Sequence, residues 1–243
     1  MISVEQAKKT ISNCCKVKPI ITVDLLSAVG FVLSEDVIAK INIPSFDNSA
    51  MDGYAIQHQD IENGINQFYI VEEVKAGDQP KNRIKTGECV PIYTGAPTPL
   101  GADSIIMVEK TTIVNGKMMV EKGYKSKKGQ HIRLLGEQIE KGKIALVKGS
   151  IIRPSTASYL SALGEVTIPI FSQPKVKIIT TGNEIIKAGV PLEFGQIYES
   201  NSTALIALLK EQKITKITPI IARDTTKDLL EKLQDINQYD III

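Results

Sequence analysis

A change of hydrophobic grammar at Gln173-Pro174 constrains what this chain can fold into more than any other feature. Downstream of it, "KVKIITTG" is a buried-type strand and "SNSTALIALLKEQ" a helix with Ser200 to Ser202 supplying its cap. "ITKITPII" is a second strand, "TTKDLLEKL" a helix opened by Asp224, and "YDIII" a third strand. Strands that alternate with helices need crossover connections, and crossovers build a parallel sheet. In such sheets ligands bind beyond the carboxyl ends of the strands. Three strands and two helices leave core unburied, so the segment reads as an incomplete α/β domain and the chain as truncated.

Upstream the punctuation differs. "SVEQAKKTISNCC" opens with a Ser-x-x-Gln capping box, Ser3 and Gln6, and carries Val4, Ala7, Ile11 and Cys14 at helical spacing up to Lys18-Pro19. A second apolar pattern, Leu25, Leu26 and Val29, stops at Gly30, a residue suited to an αL cap, and a strand is expected from Phe31 towards Ile43. From Asp60 to about Gly149, short runs such as "FYIVEEV", "CVPIYTG", "SIIMVEKTTIV" and "IALVKGSII" are separated by Gly, Pro, Asn and Asp. Asn115-Gly116 inside "TTIVNGKMMV" predicts a type I′ hairpin, which needs positive φ at both central residues. The region reads as a mainly β domain inserted after the opening motif. "RPSTASYLSALGEVTIPIF" reads as a helix capped near Ser155 and ended at Gly164, then a strand.

Bulk properties exclude more than they identify. Of 243 residues 43% are hydrophobic and 23% charged, an ordinary mixture for a folded core. A net charge of +2 and the absence of Trp give no reason to expect nucleic acid or an anionic membrane. No apolar run approaches the roughly 20 residues of a membrane helix, and the N-terminus is too polar for a signal peptide. Cys14, Cys15 and Cys89 are odd in number and lack C-x-x-C spacing, which suits a reducing, cytoplasmic compartment.

Four stretches concentrate polar chemistry, and each has two readings. "PSFDNSAMDGYAI" crowds Asp47, Asn48, Ser49 and Asp52 between apolar segments. These side chains either close Asx and Asp-Gly turns or bend two carboxylates towards a cation or phosphate. "YTGAPTPLGAD" and "TTGNE" each set Thr-Gly after an apolar strand, where small residues admit a ligand to the backbone or merely turn the chain. Neither is a phosphate-loop fingerprint. Lys122, Lys125, Lys127, Lys128, His131 and Arg133 form a solvated hairpin tip or a surface that steers anions, with Arg133 set apart by Leu134 and Leu135 after it. His58 and His131 have no evident nucleophile partner, so nothing specific supports a Ser-His-Asp hydrolase.

In combination and order, "PSFDNSAMDGYAI", "IYTGAPTPLGAD", "TTGNEI" and "GQIYESNS" resemble the molybdopterin molybdenumtransferase family, the molybdenum-insertion enzymes related to the enzymatic end of gephyrin. The resemblance runs from the first helix to Ile243. It implies a multidomain α+β chain, with a β-rich inserted domain plus an incomplete α/β domain that has a mainly parallel sheet. The implied parts are a small linker and dimerisation domain at 20–46 and 136–172, the β-rich domain at 47–135, and an α/β pterin-binding domain at 1–19 and 173–243. It further implies a homodimer with the site between subunits, adenylylated molybdopterin and molybdate as substrates, AMP release, and Mg²⁺ as cofactor. Asp52, Thr94 and Glu184 take catalytic roles by resemblance, with Asp52 and Glu184 positioning the metal. Asp47, Asn48, Ser49, Gly95, Arg133, Ser200, Asn201 and Asp224 are implied to bind substrate, with Glu109 a weaker candidate.

The chain departs from the family at Leu135-Gly136-Glu137-Gln138, where Arg-Gly-Glu-Asp is common, and at Asn183, where Asp is usual. The family's Ser-Gly-Gly loop, its lysine-bearing Pro-Gly-Lys-Pro stretch, its Gly-Leu-Pro-Gly-Asn-Pro loop and a small C-terminal β domain have no counterpart in the 243 residues. These departures favour a second reading, a non-catalytic dimeric scaffold or inactive fragment of the family; a generic nucleotide-binding α/β protein is a third, weaker one, and the absence of a phosphate-loop fingerprint counts against it.

Overall fold

The computed structural model describes residues 2–243. They form two compact units, one of Ile38–Ala145 and one of the chain up to Val37 together with Leu146–Ile243.

The Ile38–Ala145 unit is built on a six-stranded mixed sheet. Its strands run in the order Ser104–Met107, Gly53–Ile56, Glu88–Ile92, Gln67–Ile70, Lys117–Val120 and Thr111–Val114. Successive side chains on a strand face opposite ways. Here both faces are covered: Ala55, Val90 and Ile105 pack in one cluster with Val74 and Ile84, while their neighbours Ile56, Cys89 and Ile106 pack in another with Phe68 and Met118. Double burial explains why these runs read as nearly continuous apolar stretches instead of alternating ones. It also pushes the buried Cys89 thiol up to about 12, because a thiolate there would be stripped of water.

The hairpin expected at Asn115-Gly116 is present, with φ of 52° and 75° at its two central residues. A short helix, His58–Glu62, was not anticipated from the sequence. His58 also has the partner that the sequence did not reveal: Nδ1 lies 2.7 Å from Ser126 Oγ and Nε2 3.2 Å from Glu62. That chain fastens the lysine-rich loop to the helix.

The second unit contains the alternating segment. Val176–Thr181 is the central strand, parallel to Ile217–Ala222 on one side and Ile241–Ile242 on the other. Helices Asn201–Glu211 and Thr226–Lys232 fall between the strands in sequence. Lys177 is buried in the central strand and donates to the carbonyl of Lys232 at 2.6 Å and to Asp235, whose carboxyl it holds below its usual range. The unit also pairs Ile20–Asp24 antiparallel with Thr167–Phe171.

Several local expectations need correction. Helix Val4–Cys14 has the Ser3–Gln6 capping box but ends at Cys15, which is extended, before Lys18-Pro19. Leu25 to Gly30 forms successive turns, since so short a stretch cannot offset helix nucleation; Gly30 still supplies φ of 93°. The strand expected from Phe31 to Ile43 is broken into Val37–Ile38 and isolated bridges at Val32, Leu33 and Ile43. Helix Pro154–Ala162 has Arg153 as its N-cap residue, two positions before Ser155, because Pro154 has no N–H and suits the first helical position. Helix Thr226–Lys232 is capped by Thr225, not Asp224, through a 3.2 Å bond from the Asp228 N–H. Ser200 caps Asn201–Glu211 without a side-chain bond; the Glu199 carboxylate accepts from the N–H and hydroxyl of Ser202 instead.

Gly53 tests the tightness of the six-stranded sheet. A Cβ there would lie 2.0 Å from the carbonyl oxygen of Ile106. Gly53→Ala is expected to lose about 3 kcal/mol of stability, the upper end of ordinary overpacking. Urea unfolding of the two proteins checks it.

Candidate active site

The loop 47–52 lies between two other segments of the same unit and is stitched to both. On one side, Ser49 N–H donates to Ala96 O at 2.9 Å, Gly95 N–H to Ser49 O at 2.8 Å, and Thr98 N–H to Asp47 O at 2.9 Å. On the other, Asn48–Ser49 pairs antiparallel with Ile132–Arg133, and Ala50 N–H donates to His131 O at 2.8 Å. The segment facing Ser49 is a turn, closed by Ala96 N–H on Tyr93 O at 2.9 Å, with Gly95 at φ 84°. A positive φ at the third position of a turn favours glycine, which explains the Thr-Gly pair after this strand.

Register then brings Asp52 to Thr94. Gly53 is paired with Ile92, so the residue before Gly53 meets the residues after Ile92. Asp52 Oδ1 accepts from the Thr94 N–H at 2.7 Å and from its hydroxyl at 2.8 Å. The backbone bond, then the hydroxyl bond, hold the Asp52 carboxyl below its ordinary range, so it stands ionised at neutral pH. Its Oδ2 has no hydrogen-bond partner among the described residues, and the side chain is exposed.

The other loop side chains are used differently. Asp47 Oδ1 accepts from Leu135 N–H at 2.7 Å. Asn48 is buried and donates to Phe46 O at 3.2 Å; Ser49 is buried, donates to Met51 O and accepts from Met51 N–H. These three fold the loop, and Asp52 is the carboxylate the loop presents. The turn reading thus holds for Asp47, Asn48 and Ser49, whereas the two carboxylates of the motif do not converge on one point: Asp47 is tied to the Leu135 N–H and Asp52 to Thr94. The Leu135 bond was hidden from the sequence, where only its lost charge was visible: its contribution is a backbone N–H. Arg133 is exposed beside Asn48, and Glu109 is exposed in the turn Val108–Lys110 that follows Ser104–Met107.

The remaining candidates belong to the other unit. Glu184 and Asp224 follow the carboxyl ends of the parallel strands Val176–Thr181 and Ile217–Ala222, and Asp224 N–H donates to Asn183 Oδ1 at 3.2 Å. Glu184 is exposed, and its carbonyl accepts from Ile197 N–H at 2.9 Å, next to a parallel pairing of Ile185–Ile186 with Ile197–Tyr198. Ser200 and Asn201 begin the helix just beyond that pairing. Among the described residues no three His, Cys, Asp or Glu side chains gather as a metal cluster.

One unit thus presents an acid on a clasped loop, and the other carries polar residues at the carboxyl ends of parallel strands, where α/β sheets bind ligands. Residues 2–164 match the model described as MoeA N-terminal region (domain I and II), and residues 177–243 that of a probable molybdopterin binding domain. The chain belongs to the molybdopterin molybdenumtransferase (MoeA) family. It is 35% identical over 228 residues to molybdopterin molybdenumtransferase 2 of Mycobacterium tuberculosis, covering 92% of this chain and 56% of that protein. It is 33% identical over 214 residues to the Staphylococcus aureus enzyme, covering 86% and 51%. It superposes on the molybdopterin biosynthesis moeA protein of Pyrococcus horikoshii OT3 with a TM-score of 0.88 at 33% identity, covering all of this chain and 65% of that one. The chain thus spans about half the length of the curated relatives it matches. No helix among the described residues is long and apolar enough to cross a membrane.

The Thr94 clamp has a measurable signature. Asp52 should titrate below free aspartate in carboxyl ¹³C NMR, and Thr94→Val should move its midpoint only part of the way back, because the larger backbone donor remains. A lowered folded-state value means that any stability it contributes is present above the unfolded value. That stability is lost as pH falls through the folded one.

Proposed function

We propose that this chain supplies the Asp52 loop and the pterin-facing strand ends of a molybdenumtransferase. The reaction inserts molybdenum from molybdate into the dithiolene of adenylylated molybdopterin, with hydrolysis of the phosphoanhydride and release of AMP. The observation that carries the reading is Asp52: an ionised carboxylate with one oxygen fixed by both donors of Thr94 and the other free.

That free oxygen suits Mg²⁺, which takes one or two carboxylates and completes its shell with phosphate oxygens and water. When bound, the ion would offset the mutual repulsion of pyrophosphate and molybdate. The chain's own part is positional. Thr94 keeps Asp52 in one orientation, Gly95 leaves room beside it, and Asp47, Asn48 and Ser49 keep the loop from collapsing onto the free oxygen. Arg133 offers a cation to an anionic substrate. In the other unit Glu184, Ser200, Asn201 and Asp224 would hold polar groups of the pterin or adenylate.

Assembly as a homodimer is part of the proposal. Its support is the N-terminal helix, which buries none of its own residues and leaves Val4 and Ile11 66% and 65% exposed along one apolar stripe. A dimeric scaffold without turnover remains the second reading, favoured by the exposed, uncharged Leu135 at the loop.

The deciding assay is Mg²⁺- and molybdate-dependent AMP release from adenylylated molybdopterin. It should be run on this chain and on the longest natural polypeptide that carries it. Asp52→Asn is expected to lower turnover by at least about 100-fold, the scale on which removal of a single electrostatic group acts. Wild-type turnover in that variant would sink the catalytic role. Dimerisation without binding of the adenylylated pterin would select the scaffold.

A further inference from the structure

Asp52 is oriented by Thr94, which raises the question of what orients Thr94. The turn Tyr93–Ala96 is tied at its far corner to the loop, through Gly95 and Ala96 on Ser49. Its near corner is Tyr93, which is 41% exposed and is the first residue beyond strand Glu88–Ile92. The phenol donates to Glu73 Oε1 at 2.7 Å, and the other carboxylate oxygen, Oε2, lies 3.2 Å from Lys75 Nζ. Segment 73–75 is itself fixed. Val74 is buried, bridges in parallel to Ile92, and donates its N–H to Pro91 O at 2.9 Å. A buried apolar residue therefore stands between the two polar ones and aims both at the end of the same strand.

We propose that Glu73 and Tyr93 are positioning residues for the Asp52 site, in which the Tyr93–Glu73 hydrogen bond, steadied by Lys75, holds the corner of the turn that presents both Thr94 donors. The inference rests on reading Asp52 as the functional carboxylate. An exposed ion pair by itself contributes little. The phenol-to-carboxylate bond differs because it is charge-assisted and joins residues 20 apart in sequence across a packed strand. Charges agree with the geometry. The Tyr93 phenol is held above its ordinary range, first by its bond to Glu73 and then by the Glu73 charge. Glu73 is held below its ordinary range, chiefly by Tyr93 and then by Lys75, so the acceptor is ionised at neutral pH.

The experiment measures Asp52 itself, in this chain and without substrate. Its carboxyl ¹³C titration and the Thr94 amide resonance are followed in wild type, Tyr93→Phe, Glu73→Ala and Glu73→Gln, with Asp52→Asn to assign the signal. Tyr93→Phe and Glu73→Ala are expected to raise the Asp52 midpoint by about 0.5 pH unit and to move the Thr94 amide upfield. Glu73→Gln keeps an acceptor for the phenol but not its charge, so it should fall between wild type and Glu73→Ala. An unchanged midpoint in folded Tyr93→Phe and Glu73→Ala overturns the proposal, as does Glu73→Gln behaving like Glu73→Ala. Thermal melts establish folding, and Glu73→Ala serves if Tyr93→Phe does not fold. A shifted midpoint with AMP release indifferent to Asp52→Asn would leave the positioning role standing and remove the catalytic reading.

Discussion

The closeness of Gly53 to the carbonyl of Ile106 is the constraint on which the central unit depends. It lets strand Gly53–Ile56 enter between two antiparallel neighbours, and that entry fixes the register. With Gly53 opposite Ile92, Asp52 has no choice but to meet the turn that begins at Tyr93. The acid of the motif is therefore placed by a ladder of backbone bonds, and Thr94 gives it direction. A side chain at position 53 would push the strands apart and alter the position of the acid together with the fold.

The polar residues around Asp52 divide the labour in a way their spacing does not reveal. Asn48 and Ser49 satisfy the loop's own backbone, a need that grows with their burial. Asp47 reaches across to a main-chain N–H at Leu135, so an apolar residue at that position still holds the loop. The exposed carboxylate is stabilised by donors, not by a neighbouring cation. It can accordingly keep its charge without neutralising it.

Much of this was legible in the sequence because the relevant signals are local. The Ser3–Gln6 box, the Asn115-Gly116 turn and the strand-helix alternation after Pro174 each depend on neighbouring residues, and each appears in the structure. What stayed hidden depends on contacts far apart in the chain. Nothing near Phe31 shows that its strand breaks into bridges with residues 139, 151 and 170. Nothing near Glu73 shows that it meets Tyr93, and nothing near His58 shows Ser126. The Asp-Asn-Ser-Ala-Met-Asp motif drew attention to this loop, yet only register could separate the acid that faces solvent from the residues that build the turn.

The depth of Cys89 has a consequence for how the molecule can be observed. Cys14 and Cys15 are exposed near the end of the N-terminal helix, whereas Cys89 lies between the covered faces of the six-stranded sheet with its thiol held protonated. Alkylating reagents need the thiolate and a path to it. The first two thiols should label promptly, and the third only in molecules whose sheet has opened. The chain thus carries an intrinsic clock for the opening of the sheet that supports Asp52, readable from the rate at which a third label is acquired.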